Sequence, residues 1–301
     1  MLHNFGSINL DHFYRVPHLV APGETLASRD YRVGLGGKGA NQSLAMARAG
    51  GRLCHWGRLG RQDAWAGDIL ARAGVEVGHL ALVDEPSGHA IIQVDDAGEN
   101  AIILFPGANH GFSRADLETL VATAEPGDWL LLQNECRGLA TLIPLAAERG
   151  LAIAFNPAPM AAGVLELPLH HCRLLFVNRT EAAQLADLPV EATASALLDA
   201  LATRLPDSEL VLTLGGEGAW YQHGSERLHQ PALPVTAVDT TAAGDTFIGY
   251  FMAALQAEMP VSDCLERAAT AAALGVQRPG AAESIPDRDE VERALQDAAS
   301  R

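Results

Sequence analysis

Lysine is nearly missing from this chain. Of its 21 basic residues, Lys38 is the one lysine and the rest are arginine. Acidic residues number 37, and the formal net charge is −16. That balance argues against nucleic acid as the main partner, because neutralising a phosphate backbone takes clustered Lys and Arg. An anionic ligand must instead be met locally, by helix N-termini, backbone N–H groups, a metal ion and a few cations. Aromatic residues make up 5% of the chain, a mix that suits alternating helices and buried strands better than a β-sandwich. The cysteines, Cys54, Cys136, Cys172 and Cys264, lie far apart with no C-x-x-C pair. Neither a zinc site nor a disulfide framework is expected from that spacing. The start, Met1-Leu2-His3-Asn4, has no basic region followed by an apolar run, and no apolar stretch reaches bilayer length. A cytoplasmic protein without a secretory signal is the expectation.

What is present is core-forming material: 48% of the 301 residues are hydrophobic. Apolar periodicity predicts strands over 3–10, 53–59, 88–95, 100–105, 129–133, 151–155, 174–177 and 210–214. It predicts helices over 41–49, 63–73, 139–149, 181–186, 193–204, 246–256, 262–276 and 288–298, with Thr193 as an N-cap. Alternation of apolar strands with helices predicts a parallel sheet covered on both faces. Residues 12–35 read as an excursion from that sheet, and 88–105 as a hairpin around Asp96-Ala97-Gly98-Glu99. Together they predict a small β lid on a single large α/β domain spanning 1–301, with the site at the C-terminal strand ends.

Two loops stand out. Gly34-Leu35-Gly36-Gly37-Lys38-Gly39 matches G-x-G-x-x-G, but a strand and an excursion already precede it. The next strand ends near Arg58-Leu59-Gly60 without an acidic residue for a ribose hydroxyl, so the dinucleotide reading is weak. A P-loop fails, because Arg32 stands at its first Gly and Gly39 follows the Lys. Two readings remain: a tight turn into the next helix, or a turn whose backbone approaches a small polar ligand, with Lys38 and Asn41 as donors. Lys38 is either an accident of position or a compact ammonium where a guanidinium would not fit.

The second loop, Asp239-Thr240-Thr241-Ala242-Ala243-Gly244-Asp245, precedes a helix with a clear apolar stripe at Phe247, Tyr250, Phe251, Ala254 and Leu255. Small residues before a helix leave N–H groups free for an anion. Asp245 beside them either accepts a hydroxyl proton or only complements the helix dipole. Asn178-Arg179-Thr180-Glu181 reads as a capping box or as oxygens around a hydrated magnesium ion. Thr213-Leu214-Gly215-Gly216-Glu217-Gly218 reads as a nucleotide-contacting turn or a plain hairpin.

Taken in order, these segments resemble the ribokinase-like (PfkB-type) carbohydrate kinases over nearly the whole chain. The carrying residues are Gly6-Ser7-Ile8-Asn9 with Asp11, Pro22-Gly23-Glu24-Thr25, Gly36 through Asn41, Asn156-Pro157-Ala158-Pro159, Asn178 through Glu181, and Asp239 through Asp245. The first strand departs from the pattern in being polar at His3 and Asn4. The resemblance implies a three-layer α/β/α fold with a mainly parallel central sheet and a small β-sheet lid. It implies transfer of the ATP γ-phosphoryl group to the primary hydroxyl of a pentose, D-ribose giving D-ribose 5-phosphate. Kinases for 2-deoxyribose, fructose, another hexose or a nucleoside are the neighbouring alternatives, and a non-catalytic sugar-binding protein is a more distant one.

By that resemblance Asn9, Asp11, Gly37, Lys38, Asn41 and Glu135 contact the sugar. Asp245 is the general base, and Ala242, Ala243 and Gly244 form the anion hole. Asn178 and Glu181 place Mg2+ through water, and Thr213, Gly215, Gly216 and Gly218 lie along ATP. A monovalent cation, K+, would be held by Asp239, Thr241, Gly275, Arg278, Gly280 and Ser284, mostly through backbone carbonyls. A homodimer formed through the lid is also implied.

Overall fold

The computed structural model describes residues 1–299. In chain order its strands are β1 (Leu2–Phe5), β2 (Asn9–Arg15), β3 (Asp30–Gly36), β4 (Leu53–Gly60), β5 (Leu80–Val83), β6 (Gly88–Val94), β7 (Asn100–Phe105), β8 (Trp129–Gln133), β9 (Ala152–Asn156), β10 (Cys172–Asn178), β11 (Glu209–Thr213), β12 (Ala219–His223) and β13 (Glu226–Gln230). The α-helices are α1 (Lys38–Arg48), α2 (Ala64–Arg72), α3 (Arg114–Ala122), α4 (Leu139–Glu148), α5 (Arg179–Ala186), α6 (Ala194–Arg204), α7 (Ala243–Gln256), α8 (Val261–Gly275) and α9 (Arg288–Ala299).

The middle layer is a nine-stranded sheet in the order β13-β12-β11-β10-β9-β8-β1-β4-β5. Strands β5 through β11 of that row pair parallel, and β12 and β13 close one edge as an antiparallel hairpin. Strand β8 reads Trp-Leu-Leu-Leu-Gln because both of its faces are covered, so no alternation with polar residues is needed. Successive side chains point to opposite faces. Leu131 enters a core shared with α1, α7 and α8, while Leu130 and Leu132 enter a second core with α3 to α6. Each fully buried Leu or Phe contributes about 1.5–3 kcal/mol relative to exposure. The result is the expected α/β/α sandwich with a mainly parallel sheet.

A separate four-stranded sheet runs in the order β3-β2-β6-β7. Its outline corrects the expected boundaries. The predicted strand over 3–10 is two strands: β1 ends at Phe5, and Asn9 opens β2, whose partners are β3 and β6. The break falls at Gly6-Ser7-Ile8, where the chain leaves the central sheet for the small one. Helix α7 begins at Ala243 rather than near Thr246, and α1 at Lys38 rather than Asn41. Both motif loops therefore end inside the first turn of a helix.

Some elements carry weak sequence signals. Helix α3 buries only Leu117 and Val121, and its start is a capping box between Ser113 and Asp116. Strand β5 is short, at the sheet edge, and partly or wholly exposed along its length. Thr193 caps α6, its side chain accepting from Ala196 N–H at 3.2 Å. Among the described residues, no helix is long and apolar enough to cross a membrane.

Candidate active site

The loops that leave the C-terminal ends of β1, β8, β9, β10 and β11 converge with the starts of α1 and α7. Gly37 caps α1 at φ 88°, a backbone shape that L side chains rarely adopt, and a Cβ there would stand 2.9 Å from Asn9 N. The turn thus seats the start of α1 against the Ser7–Asn9 segment, with Ala40 N–H donating to Ser7 O at 2.9 Å. Asn9 is buried, and its Oδ1 accepts from Asn109 Nδ2 at 2.8 Å. Asn109 also accepts from Ile8 N–H at 3.1 Å, fixing the crossover between the two sheets. Glu135 Oε2 accepts the Lys38 N–H at 2.9 Å and the Ser7 hydroxyl, so it ties the α1 start to the loop after β8.

Charges gather here at mostly half-buried positions. Burial, then Glu135 and Glu283, push the Asp11 carboxyl up to about 7, against the opposing pull of Arg32. The Asp245 carboxylate, followed by Glu135 and Glu181, raises the Lys38 ammonium above its ordinary value despite burial. Lys38 therefore stays charged, with carboxylates on more than one side.

Asp245 is buried, in the first turn of α7. Its Oδ2 accepts from Asn41 Nδ2 at 3.1 Å and its Oδ1 from Gln42 Nε2 at 2.9 Å. Asn41 Oδ1 is buried without a partner among the described residues, an acceptor that a sugar hydroxyl can satisfy. Ala242 takes a left-handed conformation, φ 60°, at the N-cap. Ala243 N–H is turned onto Thr240 O at 3.2 Å, and Thr246 N–H onto Ala242 O at 2.8 Å. The Gly244 and Asp245 amides thus stand in the open first turn, where helix N–H groups lack intrahelical acceptors. The anion hole expected at Ala242, Ala243 and Gly244 is drawn here with one of its three amides already engaged.

A pocket of about 200 Å³ opens in front of this turn, lined by Lys38, Asn178, Glu181, Ala242, Gly244 and Asp245 among others. Asn178 and Glu181 form a complete capping box: Asn178 Oδ1 accepts from Glu181 N–H, and the two Glu181 oxygens accept from Asn178 N–H and Nδ2, all at 2.9 Å. Burial raises the Glu181 carboxyl above its ordinary value. It has no ion-pair partner within 4.0 Å among the described residues, and a buried carboxylate facing a pocket in that condition fits a hydrated cation.

Adjoining it is an apolar cleft of about 320 Å³ that shares Thr213, Thr240, Ala243 and Gly244 with the first pocket. Gly215, Gly216 and Gly218 form one wall, and Leu233, Val235, Phe247 and Ala273 are among the others. A planar base fits such a slot.

The loops holding Asp239 and Gly275 to Ser284 meet directly. Asp239 N–H donates to Val276 O at 3.1 Å, and Gly280 N–H to Asp239 Oδ2 at 2.9 Å. Asp239 Oδ1 accepts from Thr241 N–H at 2.9 Å and from its hydroxyl at 2.6 Å. Arg278 N–H donates to Gly275 O, and the Ser284 hydroxyl to Ala281 O. The Arg278 side chain turns away to pair with Glu290. With the carboxylate engaged in loop bonds, backbone carbonyls are the oxygens that could hold a cation.

Sequence reasoning assigned no role to Ser7 or Asn156, although both lie in the segments that carry the resemblance, and it missed Gln42 and Asn109. Gln42, adjacent to Asn41 in α1, carried a positional signal; the others became meaningful only through contacts across the sheet.

Residues 1–288 match the family model described as pfkB family carbohydrate kinase. The chain belongs to this family and is a phosphotransferase acting on an alcohol group. It is 35% identical over 299 residues to the ribokinase of Haemophilus influenzae, covering 97% of both chains. A ribokinase from Cryptococcus neoformans var. grubii in complex with ADP has a TM-score of 0.84 at 33% identity, over 98% of this chain and 99% of that one. An Arabidopsis thaliana ribokinase complexed with ribose and ATP has a TM-score of 0.84 at 30% identity, covering 98% of each.

Proposed function

We propose that the protein is an ATP-dependent ribokinase that phosphorylates the primary hydroxyl of D-ribose. The observation that carries this reading is the placement of Asp245. Its buried carboxylate lies between the donors Asn41 and Gln42 and the pocket that runs into the apolar cleft. Asn9, Asp11, Gly37, Lys38, Asn41 and Glu135 bind the sugar on one side. Asp245 accepts the proton of the attacking hydroxyl as the oxygen attacks the γ-phosphorus and ADP leaves. Ala242, Ala243 and Gly244 neutralise the transferring group with amides of the α7 start, the Ala243 amide moving off Thr240 to do so.

Mg2+ supplies charge neutralisation on the phosphates when bound, and Asn178 and Glu181 would hold it through water. Thr213, Gly215, Gly216 and Gly218 lie along the nucleotide. The carbonyls of the loops at Asp239, Thr241, Gly275, Arg278, Gly280 and Ser284 would take K+, stiffening the segment that leads into α7.

In this reading the whole chain works as one kinase domain. Strands β2, β3, β6 and β7 form a lid that excludes water from the sugar. The lid's exposed strand β7 carries Ile102, Ile103, Leu104 and Phe105, all at least 46% exposed, an apolar edge that a second copy would cover in a homodimer. The site of action is the cytoplasm, where ATP is supplied.

The test is a coupled assay of ADP formation over ribose, 2-deoxyribose, fructose and nucleosides. Ribose is expected to give the highest kcat/KM. Preference for another acceptor would replace the substrate assignment, and binding without any phosphorylated product would remove the kinase reading.

A further inference from the structure

Gln42 was not among the residues the sequence brought to the site, yet it donates to Asp245 Oδ1 at 2.9 Å. It is fully buried, and so is the row of side chains on which it rests. A carboxylate only accepts hydrogen bonds, so Gln42 must present its NH2 to Asp245 and turn its Oε1 away. Gln133 Nε2 meets that Oε1 at 2.7 Å and also donates to Asn4 Oδ1 at 2.9 Å. Asn4 Nδ2 in turn donates to Gly39 O and to Ser43 Oγ, both at 2.8 Å. The Ser43 hydroxyl is then free to donate to His55 Nδ1 at 2.8 Å, while His55 Nε2 donates to Gly6 O at 3.1 Å. Burial pushes His55 down to about 4, which keeps the ring neutral and Nδ1 an acceptor at neutral pH. The second Gln42 proton points to Asn156 Oδ1 at 3.4 Å.

The direction of each amide is thus set by its neighbour. Asn156, Gln133, Asn4 and His55 belong to four adjacent strands, β9, β8, β1 and β4, with Gln133 opposite Asn156 and Asn4 opposite His55 in register. Gln42 and Ser43 come from α1, the helix laid over that face. Gly249, one turn beyond Asp245, lets α7 lie directly on α1: a Cβ there would stand 2.4 Å from Ala45 Cβ and 2.8 Å from Gln42 O. The rotation of α1 on the sheet is therefore tied to the aim of the Asp245 carboxylate.

We propose that Gln42 is a positioning residue for phosphoryl transfer, holding the Asp245 carboxylate toward the acceptor hydroxyl, and that Gln133 holds Gln42 in the donating orientation. The role rests on Asp245 being the base. Met is close to Gln in size and removes the amide, so Gln42→Met and Gln133→Met cut the row at two points. Misaim of a base acts on the chemical step rather than on sugar binding.

The experiment measures kcat and KM for ribose, with thermal unfolding, for both variants, their combination, Asp245→Asn and the wild type. Gln42→Met is expected to lower kcat about tenfold or more, with KM within about twofold. Gln133→Met is expected to lower kcat about threefold or more, and the double variant to be no slower than Gln42→Met alone, because both act through one chain. Folded variants with wild-type kcat, losses that multiply in the double variant, or losses confined to KM would overturn the proposal. If Gln42→Met does not fold, Gln133→Met decides by the same kcat criterion. A wild type inactive on ribose would sink the kinase reading itself, whereas an active wild type with unaffected Gln variants sinks only the positioning role.

Discussion

Asp11 shows how the site trades stability for recognition. Its folded carboxyl is raised from 3.8 to about 7, first by burial and then by Glu135 and Glu283. Between those values the folded protein binds more protons than the unfolded chain, so stability falls as pH rises through the window and is flat above it. The displacement corresponds to roughly 4 kcal/mol as an upper bound. Asp11→Asn is therefore expected to be more stable than the wild type at pH 8 without sugar, with the gain shrinking toward zero near pH 4. Thermal unfolding across that range checks it, and a gain independent of pH would contradict the cause. The same variant should bind ribose more weakly, since an acceptor is lost. Lys38 has the opposite character: the negative charges of Asp245, Glu135 and Glu181 raise its ammonium above the ordinary value and keep it charged despite burial. The scarcity of lysine marked this position in the sequence, but the three acids lie 97 or more positions away along the chain and only folding collects them.

Among the elements, α7 was the most legible, because its stripe of Phe247, Tyr250 and Phe251 follows helical spacing and all three are buried. Its first turn was less so: Ala243 and Gly244 read as loop, and only the left-handed Ala242 fixes where the helix begins. The Asn178 segment was legible in both of its readings, and the capping box is present. Helix α3 and strand β5 escaped notice for the same physical reason, a small buried face that leaves a weak period. Strand β7 was read from its hairpin turn, but its exposure could not be, since a run such as Ile102-Ile103-Leu104-Phe105 ordinarily signals a covered strand. That conflict is what a dimer would resolve. Ile103→Glu, at the most exposed of these positions, is expected to shift the protein from dimer to monomer in sedimentation velocity while its fold persists. A wild type that sediments as a monomer at micromolar concentration would remove the interface.

For the whole molecule, the parallel sheet and its two helical layers followed from the alternation of apolar strands and helices. The path between the layers did not. Polar His3 and Asn4 stood out in the first strand as departures from the family pattern. Asn4 proves to be part of a buried row that crosses four strands and ends at Asp245, a relation invisible to any local period. The proposed sugar, anion and nucleotide subsites come from segments far apart in the chain, and the central sheet brings those segments to one edge. In the proposed reading this convergence serves proton removal by Asp245 during phosphoryl transfer. Its most direct test is ribose-dependent ADP formation by Asp245→Asn, with ribose binding followed by calorimetry. A general base contributes about 100- to 10,000-fold, so kcat should fall by at least about 100-fold while the variant stays folded and still binds ribose; turnover within a few fold of the wild type would contradict the claim.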